Sequence, residues 1–190
     1  MLNAARIPSN GLSHHFVPHD LAQFHPAVRK SLRKLQLLRD NVSIEPIVNK
    51  IANWTSPPEQ AYYVSFLYLT NAEVIDRTIR IAEQYPVSNG KIVYKVDFRL
   101  SLVDHLKPKL RPITILVECD SEQFHNGIIE RSTERCRRSR AIEREATKVY
   151  RFSGEEVLKN PEDCVIECVR DLARLIIDRR EMLMASKIIF

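Results

Sequence analysis

Across residues 26–40, PAVRKSLRKLQLLRD, apolar side chains recur as Val28, Leu32, Leu35 and Leu38 with Arg and Lys between them. That spacing predicts an amphipathic helix with a basic face. The segment NVSIEPIVNKIANW predicts a second, short helix, or a turn plus a helix, after a break at Pro46. A third helix opens in TSPPEQAYYVSFLYL, where Thr55 or Ser56 serves as N-cap and prolines occupy the first turn. Glu59 there complements the positive helix end, and Ala61, Val64, Leu67 and Tyr68 form the inward stripe. The stretch NAEVIDRTIRIAEQYPVSNG then passes from helix to strand, with Pro86 ending the helical part and Ser88-Asn89-Gly90 turning the chain.

Two strand-like segments follow, IVYKVDFRLSLV and ITILVECD, joined by a polar connection containing Lys107, Pro108 and Lys109. Both are rich in β-branched and aromatic residues. Residues 126–147, highly charged and nearly free of helix breakers, predict a helix. KVYRF predicts a further short strand and GEEVLKN a helical turn. A last helix carries Cys164, Val165, Cys168, Val169, Leu172, Leu175 and Ile176 as its buried stripe. The final MLMASKIIF is apolar, suited to packing on the domain or on a neighbouring subunit. Helix, strand, strand, helix, strand, helix reads as α/β with a central mixed sheet. Residues 1–54 form an N-terminal arm with helices, and residues 55–190 form the domain.

Composition narrows the class. With 190 residues, 44% hydrophobic and 28% charged, the chain can bury one real core. The net charge of +5 is by itself weak evidence for a polyanionic partner. Cys119, Cys136, Cys164 and Cys168 lack CxxC spacing, and the opening residues have too little hydrophobic core for a signal peptide. Reduced thiols in a cytoplasmic protein are expected. No apolar run approaches membrane-spanning length, so no membrane partner is expected. Histidines gather in HHFVPH and at His25, but no Cys or carboxylate stands at ligand spacing, so an irregular arm is the reading there.

Acids interrupt the two strands where apolar residues belong: Asp97 in the first, Glu118 and Asp120 in the second. Carboxylates in a strand core are costly unless something positive compensates them. Glu118 and Asp120, two apart, point to one face of a strand, and hairpin pairing would bring Asp97 to join them. Carboxylates meeting on a sheet describe a site for a hard divalent cation. The densest basic cluster, Arg131, Arg135, Arg137, Arg138, Arg140 and Arg144, is partly neutralised by Glu130, Glu134, Glu143 and Glu145 at helical spacing. A salt-bridged, solvated face is therefore a serious reading of it.

Taken in order, SPPEQ, EQYPV, YKVDF, ILVECD, QFH and KVYRFSGEEVLKNPEDC resemble the endonuclease-like domains related to the very-short-patch-repair (Vsr) nucleases. These belong to the PD-(D/E)XK superfamily with the restriction-endonuclease fold, a central mixed β-sheet flanked by helices. The resemblance covers roughly residues 55–175 and rests on the ordered succession, since V-D-F or E-x-D alone is common. It implies a divalent-metal-dependent phosphodiesterase acting on DNA, in repair, restriction or mobile-element defence. It implies Asp97 and Glu118 as metal-binding acids, the Cys119 carbonyl as a further ligand, and Mg²⁺ or Mn²⁺ as the ion. Asp120 would stand at the superfamily's lysine position, His125 would be general base or phosphate contact, and Glu59 and Gln84 would lie beside the active site. Arg131, Arg135, Arg138 and Arg151 would contact DNA. Ser121 and Ala146 stand where the pattern has Gly, and Arg135 and Ser139 where it has acids. The roles of residues 1–54, a homodimer and a targeting partner stay open. So do two other readings, a nucleic-acid-binding or assembly module without catalysis, and a structural protein whose acids only make core salt bridges.

Overall fold

The structure, a computed structural model, describes residues 21–38, 43–104, 106, 109–120 and 132–188. The side chains of 120, 132–135 and 186–188 lie outside that description. The elements run α1 (Pro26–Leu38), α2 (Glu45–Ala52), α3 (Pro57–Asn71), β1 (Ile79–Ser88), β2 (Val93–Leu102), β3 (Ile113–Asp120), α4 (Ser132–Glu145), β4 (Lys148–Ser153), α5 (Gly154–Lys159) and α6 (Pro161–Ile188). The class is mixed α/β, as expected, with helices flanking a sheet of order β1-β2-β3-β4. The first three strands are antiparallel neighbours, and β4 runs parallel to β3.

The expected hairpin of the two acidic strands forms, with Phe98 opposite Val117 and Leu102 opposite Ile113. The segment before it does not follow expectation. Residues 79–88 are a strand, and Pro86 lies inside it instead of ending a helix. The helix has already stopped at Asn71: Val74 N–H donates to Leu69 O at 3.0 Å and Glu73 N–H to Thr70 O at 3.3 Å, with Glu73 at φ 59. This is a Schellman turn with glutamate in the place usually held by glycine, so no glycine marks it in the sequence. Pro86 is tolerated because β1 is the edge strand, paired only with β2. Pro46 likewise opens α2, within its first turn, and does not break it.

One face of the sheet packs on α1, α2, α3 and α6. Val28, Leu32, Val48, Tyr62, Phe98, Ile115, Cys168 and Leu172 all belong to this core. α1 and α2, within the N-terminal region, thus share the core of the domain. The buried Ser31 hydroxyl meets Ser65 at 3.0 Å, and Lys34 pairs with Glu162 on α6. A smaller core of Val87, Tyr94, Val96, Leu116, Ala141 and Ile142 lies between the sheet and α4. α6 is longer than its apolar stripe requires, and in the described part of MLMASKIIF Met182 and Met184 are exposed while Leu183 is half-buried.

The two cores reveal a change of face in the β1–β2 hairpin. Residues two apart on a strand share a face, yet Phe98 and Leu100 join the larger core while Tyr94 and Val96 join the smaller one. In β1, Ile81 packs on the larger core and Tyr85 and Val87 on the smaller. Both strands turn over between these positions, at Gln84 and Asp97, which face each other between the pairs Glu83–Phe98 and Tyr85–Val96. Gln84 is left-handed at φ 49, the local distortion that lets β1 turn over.

Candidate functional site

At this change of face several of the expected site residues come together. Ser56 caps α3 by accepting the Glu59 N–H at 3.4 Å, which places Glu59 in the first turn. From there its Oε2 accepts a hydrogen bond from Gln84 Nε2 at 3.0 Å. The left-handed Gln84 thus holds an acid on the opposite element. Strain of this kind, worth roughly 1–3 kcal/mol, concentrates at functional positions. Burial pushes the Glu59 carboxyl above its ordinary value, against the hydrogen bonds from Ser56 and Gln84 that favour its ionised form.

Asp97 stands where the β2–β3 ladder stops at Phe98–Val117. Its Oδ2 accepts the Cys119 N–H at 2.6 Å, so a carboxylate takes over from a strand carbonyl. The Cys119 thiol is buried, and its pKa lies well above the usual thiol range. Burial is the main cause, followed by the negative charges of Asp97 and Glu59. Gln84 bonded to Glu59 and Asp97 bonded to Cys119 lie across from each other in the β1–β2 ladder, which places the four residues in a single neighbourhood. The same shift keeps Cys119 protonated and unsuited to nucleophilic work.

Glu118 is 2% exposed. Parallel register sets it opposite Arg151, whose Nε donates to Oε2 at 2.9 Å. Arg138 of α4 closes on Oε1 as a second ion pair and also donates to the Lys95 carbonyl at 3.4 Å. Two guanidiniums therefore compensate one buried carboxylate, as burial of a charge demands. Sequence reasoning assigned Arg138 and Arg151 to nucleic acid; here both face Glu118. No signal in the sequence coupled them to that acid, because the link depends on β4 lying parallel to β3 and on α4 crossing the sheet.

The Asp120 side chain, His125, Arg131 and the Arg135 side chain lie outside the described residues, as do Lys107, Pro108 and Ser121. Among the described residues, no group of three or more His, Cys, Asp and Glu side chains is arranged to hold a metal ion. The described donors are the carboxylates of Asp97 and Glu118, each one step beyond the last β2–β3 pair. Their chemistry suits Mg²⁺, which takes one or two carboxylates and fills its remaining positions with water and substrate oxygen. Glu118 would have to exchange an arginine for the ion.

Sequence reasoning also missed a basic cavity of about 340 Å³ between the β1–β2 turn and α4, lined by Asn89, Lys91, Arg137, Arg140 and Arg144. The available signal was the spacing of the three arginines, which puts them on one helical stripe. A second cavity, of about 410 Å³, lies along the basic face of α1 at Arg29, Lys30 and Arg33. Among the described residues no helix is long and apolar enough to cross a membrane.

A scan of protein-family models, a search of curated proteins and a search of solved structures found no match to this chain.

Proposed function

We propose that the chain is a divalent-metal-dependent endonuclease that hydrolyses phosphodiester bonds in DNA, built on a restriction-endonuclease-like fold and working in the cytoplasm. The observation that carries this reading is the meeting of Glu59, Gln84, Asp97 and Cys119, from α3, β1, β2 and β3, next to Glu118 in the chain. These are residues that the resemblance to Vsr-related nucleases singles out, and they are far apart in the chain. In this reading Asp97 and Glu118 hold Mg²⁺ or Mn²⁺. The ion, when bound, neutralises the scissile phosphate and lowers the pKa of an attacking water. Gln84 orients Glu59, and Asp97 stays in place through the Cys119 N–H. Arg138 and Arg151 balance the Glu118 charge until substrate and ion arrive. His125 and Asp120 complete the proposed set.

Cleavage of supercoiled DNA with Mg²⁺ or Mn²⁺ and with chelator tests the reading. Asp97→Asn retains a hydrogen-bond acceptor for Cys119 N–H, and Glu118→Gln retains one for Arg151. Each is expected to lower cleavage by about 100-fold or more, since outer-shell changes alone cost metal sites about 10–100-fold. Melting temperatures monitor folding. Wild-type protein that leaves DNA intact with either ion, or full cleavage by both variants, overturns it.

One observation favours a second reading, a nucleic-acid-binding or assembly module without catalysis: Glu118 is already ion-paired with Arg138 and Arg151. That module would bind DNA in a salt-dependent way and cleave none.

A further inference from the structure

We infer that the cavity between the β1–β2 turn and α4 is a binding site for the phosphate backbone of a nucleic-acid strand, separate from the Asp97–Glu118 site. The inference extends the proposed action on DNA and rests on DNA being the partner, but not on catalysis. Arg137, Arg140 and Arg144 lie within about 60° of one another around the helix axis and extend along about 10 Å of it. That length matches the axial rise of about three nucleotides of one strand, at 3.4 Å each, so the stripe suits a run of phosphates better than one small anion. Lys91 faces it from the hairpin, and no carboxylate lines the cavity among the described residues. Glu145, an acid of the same helix, turns away to accept from the Tyr85 hydroxyl at 3.5 Å.

Both walls are built into the fold. Asn89 Oδ1 accepts the N–H groups of Lys91 and Ile92 at 3.0 and 2.9 Å, and the Asn89 N–H donates to Ile92 O at 3.1 Å. Asn89 Nδ2 in turn donates to the Tyr94 hydroxyl at 3.2 Å. Tyr94 packs in the smaller core with Ala141 and Ile142, on the inner side of the arginine helix. The turn and the helix are thereby fixed against each other, and the arginines remain exposed at the rim. Arg138, next to Arg137, points instead at Glu118, so one helix borders both sites.

Binding of the full chain to a labelled 20-mer, single-stranded and duplex, is measured by fluorescence anisotropy over a series of salt concentrations, without divalent metal. The triple variant K91Q/R140Q/R144Q removes charge from both walls. R29Q/K30Q/R33Q removes the same charge from α1 as a control. The pocket variant is expected to bind about tenfold or more weakly. Its slope of log affinity against log salt should fall by about 2–3, at 0.7–0.9 per phosphate contact. The α1 control should keep most of the affinity. Equal losses in the two variants, or a pocket variant that binds as wild type does, overturn the inference. So does a wild type that binds neither strand form at low salt, or one that binds pyrophosphate through this pocket but no 20-mer. Wild-type protein that binds through the pocket without cleaving supports the inference and defeats only the nuclease reading.

Discussion

Glu59 shows how one side chain serves two demands. As an acid in the first turn of α3 it complements the helix dipole, and as a partner of Gln84 it joins the cluster around Cys119. Half-burial raises its pKa above the ordinary 4.5. A carboxyl raised in the folded state binds more protons there than in the unfolded chain. Its contribution to stability therefore falls as pH rises from 4.5 through the folded value. Glu59→Gln removes that titration. Urea unfolding between about pH 4 and 8 is expected to show a shallower decline for the variant than for the wild type, with the variant gaining relative stability toward the alkaline end. An identical pH slope in both would show that the carboxyl is not held in a desolvated place. Cys119, buried among the same acids, shows why a cysteine in a carboxylate site need not be reactive.

At the scale of elements, the β1–β2 hairpin does most to assemble the candidate sites. Its turnover at Gln84 and Asp97 lets one hairpin contribute to both cores, and its tip forms a wall of the basic cavity. Gly90 supplies the left-handed residue of the tip at φ 89, and a Cβ there would meet no heavy atom within 4 Å. The cost of Gly90→Ala is then backbone conformation alone, about 1 kcal/mol. Gly90→Asn is expected to cost less, because asparagine enters this region more readily. A urea midpoint for Gly90→Ala equal to that of the wild type would contradict the tip conformation. The acidic hairpin was legible from β-branched alternation and a polar connection. β1 was not, because Ile75, Ile79 and Ala82 also repeat at helical spacing and no glycine marks the end of α3.

For the molecule as a whole, Phe98 is the side chain on which the layers meet. It is fully buried, stacks on Tyr62 at 5.1 Å, and lies 6.4 Å from Tyr63 and 6.1 Å from Trp54. Phe98→Ala leaves a cavity between the sheet, α3 and Trp54 in the α2–α3 connection. It is expected to lower unfolding free energy by about 3–5 kcal/mol, measured by chemical denaturation. A loss below about 1 kcal/mol would mean that these layers do not share one core. Residue 98 also neighbours Asp97, so the core rigidifies the site it abuts.

Apolar spacing and capping chemistry, which act within a few residues, were enough to determine α1, α3, the acidic hairpin, β4 and the buried stripe of α6. They also determined which acids were out of place on a strand. Tertiary structure alone decided that Arg138 and Arg151 answer Glu118, that Gln84 holds Glu59, and that Arg137, Arg140 and Arg144 close a cavity with a turn more than 40 residues earlier. Each of those depends on sheet order and on the crossing of a helix, which are set by the packing of the whole core and leave no local mark in the chain.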